Sequence, residues 1–522
     1  MVDDVTKSLK LNRNLTNNLP KAIELDRAIK IGWGAQGDAK PKEGEIGIAP
    51  HLPAGARIRL LGNLGDFTAA CCNGGIFTLE GNALGWFGAF AQDGRLVIER
   101  DAGARCGHGM TGGRLFCHGS AGDELGASLA GGTIVIRGHA GRRAGIGMSD
   151  GLIIIVGDCK ADAGQGMTGG RIVVDGRCLP EGEGAKQRSL TKAEHKEVND
   201  ILKDHDLSVS SDAVVIEADE KHAIPSIPPA QQVWGDFSEI GLVSGELPID
   251  QSSPIDVVTL LTREEEDEGI VFPLPVIPQI SSAKGLTGEL ISSQPCLVNS
   301  DPRPIDLVRI SEDNICLAAE LLPNTAGLVL DLDEIPPLRD GEILALTTSL
   351  RAHLGEDKPI IIAGRVDRIT NLHRMAADQP IDAVIVRLTS GTGMSAPASL
   401  PRIGLSARDA NVSEKLHILD IPWDASADDA AICAAAGCGL IAINPFVDEE
   451  EEPATQKARS EAIENWLTKF AAELRGRLTD MGVDSLEQLN RRHLRALEHD
   501  TAAQSGLRLA GYDRPLPQWL GQ

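Results

Sequence analysis

Positive charge is in short supply in this 522-residue chain: 50 Lys and Arg stand against 75 Asp and Glu, a formal net charge of −25. An anionic surface repels phosphate backbones, so a nucleic-acid partner is excluded; the charge serves to keep a large protein soluble. Long apolar runs are also missing. No segment approaches 18 uninterrupted apolar residues, so none is expected to span a membrane. Met1 to Leu9 carries charges and no apolar stretch, unlike a signal peptide. No CxxC pair occurs among the ten cysteines, and their spacings fit neither a zinc knuckle nor a cluster-binding run. They read as reduced core thiols of a cytoplasmic protein. Aromatic residues are only 3% of the chain, with Tyr512 the single tyrosine.

Glycine, by contrast, is abundant, at 57 residues, and it is concentrated before residue 185. It falls in register. One column runs Gly62, Gly81, Gly119, Gly138, Gly157 and Gly176, with Arg100 in the missing slot; a second runs Gly75, Gly94, Gly113, Gly132, Gly151 and Gly170; a third runs Gly88, Gly107, Gly126, Gly145 and Gly164. Every interval is 19 residues or twice that. Between the columns lie short strands with two alternating apolar positions. One is Ile58, Phe77, Leu96, Leu115, Ile134, Ile153 and Ile172; the other is Leu60, Leu79, Ile98, Cys117, Ile136, Ile155 and Val174. Alternation of period two puts both on one face. This is the pattern of a right-handed parallel β-helix of about seven coils, with glycine where a Cβ would strike the neighbouring coil. A phosphate loop would occur once, not seven times in register.

Beyond the repeat, Leu190–Lys203 reads as a helix with Val198, Ile201 and Leu202 on its apolar side. A proline-rich stretch, 224–229, reads as a linker or strap, and the acidic run 263–269 as a solvated loop. After residue 300 strands and helices alternate: strands at 327–332, 358–363, 381–388, 416–420 and 439–443, with helices at 341–354, 366–377 and 428–436. That alternation means parallel strands and an α/β domain, with functional loops at the strand C-termini. In one such loop, Ser390, Gly391, Thr392 and Gly393 follow a hydrophobic strand, where amides and hydroxyls could hold an anion or make a tight turn. His108, His118 and His139 lie on the repeat at no shared position, which speaks against a metal site.

Two resemblances follow from these residues. Gly81–Ala83, Ala102–Gly113 and Ala163–Gly170 resemble the GXGXG domain found in the large subunit of glutamate synthase, in the β-helix subunit of formylmethanofuran dehydrogenase and in N-methylglutamate synthase, where the domain is structural. From about residue 255 to 515 the chain is similar to the FMN-binding (β/α)8 barrel of glutamate synthase, through the 385–397 strand and loop, the helix around Pro401–Leu405, the strands within 421–443 and the helices of 466–489. The implied organisation is an N-terminal extension (1–50), a β-helix (51–185), a helix and linker (186–254), an α/β barrel, complete or cut short at its front (255–450), and a helical extension (451–522).

The resemblance also implies what is missing. Where the family has a Gly-Gly turn for the FMN phosphate, this chain has Asp420 to Asp424, including Pro422 and Trp423; its next phosphate loop is Asn444 to Phe446, followed by the acidic run 448–452. A lysine expected on the strand before the glycine-rich loop is replaced by the run Ala363 to Arg365, and neither the family's cluster cysteines nor a glutaminase nucleophile is found. No catalytic residue or metal ligand emerges, and Ser390 to Gly393 would be a vestigial cofactor cradle. The resemblance implies a structural subunit of a larger oxidoreductase, amidotransferase or one-carbon complex, without cofactor and with other subunits as partners. The alternatives are an active FMN-dependent glutamate or N-methylglutamate synthase subunit drawing ammonia from a partner, a protein like the β-helix subunit of formylmethanofuran dehydrogenase, and a small-anion binding module.

Overall fold

The computed structural model describes residues 2–34, 40–219, 230–244, 254–263, 269–446 and 452–512. The proline-rich stretch 224–229 and most of the acidic runs 263–269 and 448–452 lie outside them. The chain forms two compact units, Met1–Ile227 with Leu338–His353, and Pro228–Pro337 with Leu354–Gln522.

The first unit is built on a parallel sheet whose strands recur along the repeat: β1 (Arg57–Asn63), β2 (Asn73–Glu80), β3 (Asp93–Ile98), β4 (Arg114–Cys117), β5 (Ala130–Ile136), β6 (Asp150–Ile155) and β7 (Arg171–Val174). Each pairs in parallel with the next, and partners such as Ile58 and Phe77, or Ile134 and Ile153, are 19 residues apart. A second ladder of single bridges, Leu64 to Ala83, Ala102, Ala121, Ala140, Cys159 and Cys178, keeps the same offset. Both apolar columns are buried in one core. The opposite face of the sheet carries an apolar column too, Val97, Phe116, Val135, Ile154 and Val173, which packs against Val198 and Leu202 of the helix Lys192–Leu202. A capping box between Thr191 and Glu194 starts that helix.

Glycine is required for two distinct reasons. At Gly157 the cause is steric: a Cβ would stand 2.4 Å from the Gly138 carbonyl oxygen. At the GXGXG positions it is conformational as well. In each repeat three alternate residues adopt left-handed backbone, for example Arg105, Gly107 and Gly109, with φ of 55°, 68° and 61°. Their amides point alternately to the repeats on either side: Arg105 to Asp123 O, Gly107 to Phe87 O and Gly109 to Ala127 O, at 2.8, 2.9 and 2.8 Å. The middle residue faces the core, where a Cβ on Gly107 would lie 2.5 Å from Ile134 Cδ1. The outer two face away from it and accept Trp86 and Phe90, or Glu124 and Ser128, at the cost of left-handed strain.

A side-chain ladder runs alongside. Asn63, Asn82, Asp101, Ser120, His139 and Asp158 each accept a hydrogen bond from the main-chain amide of the residue 19 positions on, from Asn82 N to Arg177 N, at 2.7–3.1 Å. The N-terminal extension, read from the sequence without secondary structure, forms the helix Val2–Glu24 and two short strands, Ile29–Ile31 and Lys42–Glu43, parallel to β1. Leu11 and Leu15 of the helix close one end of the core, and Asn12 bridges Gly47 O and Ala49 N. Near the other end the strand Val214–Ala218 pairs antiparallel with β7.

In the second unit eight parallel strands close into a barrel: β8 (Val276–Ser282), β9 (Leu297–Ser300), β10 (Leu307–Ile310), β11 (Gly327–Asp331), β12 (Ile360–Arg365), β13 (Ala383–Arg387), β14 (Leu416–Ile421) and β15 (Leu440–Ile443). The expectation of a barrel that might be cut short is thereby resolved, since β8 pairs with β15. Its front was hard to read because no α-helix follows β8 or β9, and helix alternation is the signal for parallel strands. Leu261 and Phe272, from an antiparallel pair before the barrel, join the cluster that fills its interior.

The two glycine environments make opposite predictions. Gly157→Ala is expected to lower stability by about 2 kcal/mol or more, because a backbone oxygen cannot move aside. Gly476→Ala, in the helix Gln456–Met481 with open space around its Cβ, is expected to raise it by about 0.5–1 kcal/mol. Denaturant midpoints of the two variants check both signs.

Candidate functional site

The inward positions of the barrel strands change character towards the C-terminal ends. Ile277, Leu307, Val329, Ala363, Ile385 and Ile418 lie in the interior core. Two residues on, at the next inward position, stand Gln279, Arg309, Asp331, Arg365, Arg387 and Asp420. The mouth of the barrel is therefore a layer of charge over an apolar core, where enzymes of this architecture place their chemistry.

The charges in this layer face one another, while Arg309 Nε, Arg365 Nε, Asp333 Oδ2 and Asp367 Oδ1 are buried without a hydrogen-bond partner among the described residues. Arg387 donates from Nη2 to Asp331 and from Nε to Asp420 Oδ2 at 3.2 Å, with Asp333 Oδ2 at 3.6 Å from its Nη1. Arg309 donates to Gln279, with Asp331 and Asp420 at 3.7 and 3.8 Å; Gln279 Nε2 in turn donates to Asp420 Oδ1 at 2.6 Å. Arg365 lies 3.6 Å from Asp333 and 3.5 Å from Asp367, and Arg368 3.5 Å from Asp333. Burial opposes the charge on Arg387, but Asp331 and Asp420 outweigh it and hold its pKa above the ordinary value. Burial raises the carboxyl pKa of Asp333. A cavity of about 380 Å3 remains, lined among others by Arg309, Glu334, Arg387, Pro422 and Asn444.

The structure puts the loop singled out in the sequence beside this mouth. Ser390 is buried, and Thr389–Ser390 pairs with Gln231–Gln232. The Gly391 amide donates to Asp367 Oδ2 at 3.2 Å, the Thr392 amide to Ser390 Oγ at 3.0 Å, and the Ser390 and Thr392 hydroxyls pair at 2.8 Å. Gly393 takes φ of 70° ahead of the helix Ala396–Asp409. At the other expected phosphate loop the Phe446 amide donates to Asn444 Oδ1 at 2.9 Å. Pro422 offers no N–H, and Trp423 packs edge-on against Phe237 at 5.4 Å. A phosphate here would thus have to displace the protein's own acceptors, one of them a carboxylate, and these residues do not fit the phosphate of a flavin nucleotide.

Arg309, Asp331, Arg365 and Arg387 were not identified as a site from the sequence, although the recurring pair of an apolar residue and a charged one two positions later was readable in each strand. Also missed was a buried chain of side chains, Ser406 Oγ to His373 Nδ1 at 2.9 Å and His373 Nε2 to His417 Nε2 at 3.1 Å. It joins two helices and a strand, so sequence proximity gives no clue. Burial pushes His373 down to about 4, and Ser406 lies within a helix whose amides are already bonded.

The repeat histidines have structural surroundings. His108 is buried against Trp86 and Phe90, at ring distances of 4.7 and 5.5 Å. His118 lies 3.5 Å from Glu99, and His139 Nδ1 accepts the Asp158 amide. Among the described residues no group of three or more His, Cys, Asp or Glu is placed to hold a metal ion, and no helix is long and apolar enough to cross a membrane. All ten cysteines are free thiols, eight of them buried.

Residues 48–214 match the family model of the GXGXG motif, a segment followed in this chain by the closed eight-stranded barrel. No curated protein matches the chain. Among solved structures, the flavin-binding domain of baker's yeast flavocytochrome b2 is 13% identical over 49% of this chain and 76% of that one, with a TM-score of 0.39. A mandelate oxidase variant with 2-hydroxy-phenylacetamide is 14% identical over 49% and 86%, with a TM-score of 0.36. The barrel assignment rests on the strand pairing and not on these likenesses.

These surroundings lead to two measurable expectations. Asp331→Asn leaves the half-buried Arg387 and Arg309 with one carboxylate fewer and is expected to cost about 3 kcal/mol, whereas Asp200→Asn, at an exposed site, should leave the unfolding midpoint unchanged; urea unfolding of both variants checks this. Burial, with the charge of Arg105 adding to it, pushes His108 down to about 3, against about 6.5 in an unfolded chain. Below pH 6.5 the unfolded chain binds the proton and the folded one does not. Stability contributed by neutral His108 is therefore complete above pH 6.5 and is lost as pH falls towards 3, by about 1.4 kcal/mol per unit at most. Measured between pH 7 and pH 5, His108→Phe should flatten the pH dependence of unfolding by about that slope.

Proposed function

We propose that this chain is a glutamate synthase-related structural subunit whose barrel no longer serves a flavin. On this reading the 19-residue stack is a right-handed parallel β-helix that serves as a scaffold in a larger oxidoreductase, amidotransferase or one-carbon complex in the cytoplasm, and its sheet flanks dock other subunits. The observation that carries the reading is the Asp367 carboxylate on the Gly391 amide, in the loop where a phosphate would have to sit. The pairing of Arg309 and Arg387 with Asp331 and Asp420 supports it, since both guanidinium groups already face carboxylates of the chain itself.

Purified full-length protein is expected to be colourless, to release no FMN on denaturation, and to leave the fluorescence of added micromolar FMN unquenched. A yellow preparation with about one FMN per chain would overturn the reading in favour of an active flavin-dependent synthase. The docking role is tested by affinity purification at native abundance: a stoichiometric partner subunit is expected, and recovery of the chain alone would count against it.

A further inference from the structure

A second concavity in the same unit carries exposed arginines. It has a volume of about 1030 Å3, at the upper end of the range for small-molecule sites, and lies between the helices Ile369–Asp378 and Ala396–Asp409 and the segment around Arg491–Leu507. Arg402, Arg408 and Arg491 are among its lining residues, with two carboxylates, Asp378 and Asp409. Arg402 donates only to the Asp367 carbonyl at 3.2 Å and Arg491 only to the Ser505 carbonyl at 2.8 Å. The Arg408 side chain has no partner among the described residues. On a chain with a net charge of −25, this is a local excess of cation with unused donors.

The lining is not purely cationic. Leu405 is 53% exposed and sits one helical turn from both Arg402 and Arg408. Gly404 beside it lies inside the helix, where glycine is unfavourable, yet a Cβ there would meet nothing within 4 Å. No contact within this chain asks for glycine at that point. It leaves the helix backbone open to close approach from the concavity.

We propose that this concavity is a binding site for an organic anion with a short aliphatic part, the phosphate or carboxylate group held by Arg402 and Arg408 and the aliphatic part seated on Leu405 and Gly404. Guanidinium groups are suited to the planar, two-point recognition such anions offer. No aromatic side chain lines the concavity, so a nucleobase would find no stacking platform, and the aliphatic chain is the better match.

The probe is hexyl phosphate, titrated calorimetrically into the full chain, with inorganic phosphate and hexanol as comparisons. The expected result is one hexyl phosphate per chain, bound more tightly than either comparison. The double variant Arg402→Gln/Arg408→Gln should weaken it about tenfold or more. Leu405→Asn should weaken hexyl phosphate while leaving inorganic phosphate unchanged. All three residues are exposed, and the melting temperature of each variant, measured alongside, should match that of the unsubstituted chain. Absence of binding at millimolar hexyl phosphate, affinity equal to that of inorganic phosphate, or unchanged binding by the double variant would each overturn the proposal. A yellow preparation would leave it standing, because the concavity shares no residue with the barrel mouth.

Discussion

Main-chain contact between segments 19 residues apart is the constraint on which the first unit depends. At most places where successive repeats touch through backbone a side chain would clash, and glycine is the residue left, with Arg100 the exception in its column. The same contact dictates the alternating left-handed turns. Amides of every second residue serve the repeat above or below in turn, so the main chain of each repeat is satisfied by its neighbours on both sides. Side chains take over the role at one position per repeat, where Asn, Asp, Ser and His alternate freely because only an acceptor atom is needed.

Much of this could be read from the chain alone. The glycine columns and the two apolar columns are strict because backbone clashes and core burial tolerate few alternatives. The left-handed triplets were harder to see, since Trp86, Arg105 and Glu124 occupy them as readily as glycine does, and nothing in those residue types announces a positive φ. The outer apolar column from Val97 to Val173 was visible but unread, because attention to one face of an alternating pattern leaves the other to be taken as solvent-facing. The ladder from Asn63 to Asp158 was hidden by its own chemical variety. In the barrel, strands followed by helices were found within a residue or two, whereas β8 and β9 lack that punctuation. The loop Ser390 to Gly393 follows the strand β13, as the hydrophobic run before it suggests. What its amides bind could not be foreseen, because Asp367 comes from a different strand-end segment.

The second unit shows two ways of treating arginine. At the mouth, guanidinium groups are embedded among carboxylates, so that either partner alone would be a buried, uncompensated ion. Such a layer ties the ends of several strands together at the rim of the barrel. Along the outer concavity Arg402 and Arg491 donate to main-chain carbonyls rather than to carboxylates. Proximity of arginine to a cavity therefore means opposite things in the two places, and the distinction lies in the carboxylates around it.

The acceptor ladder also bears on how such a chain can change in length. Each side chain in it meets an amide one full repeat further on, and the turn amides and glycine contacts keep that same interval. Inserting one or two residues between rungs would shift all three sets of contacts out of phase from that point onward. Adding or removing a complete 19-residue block would leave every contact between the remaining blocks intact. Growth of this unit is therefore quantised, and its height can be tuned only in whole storeys.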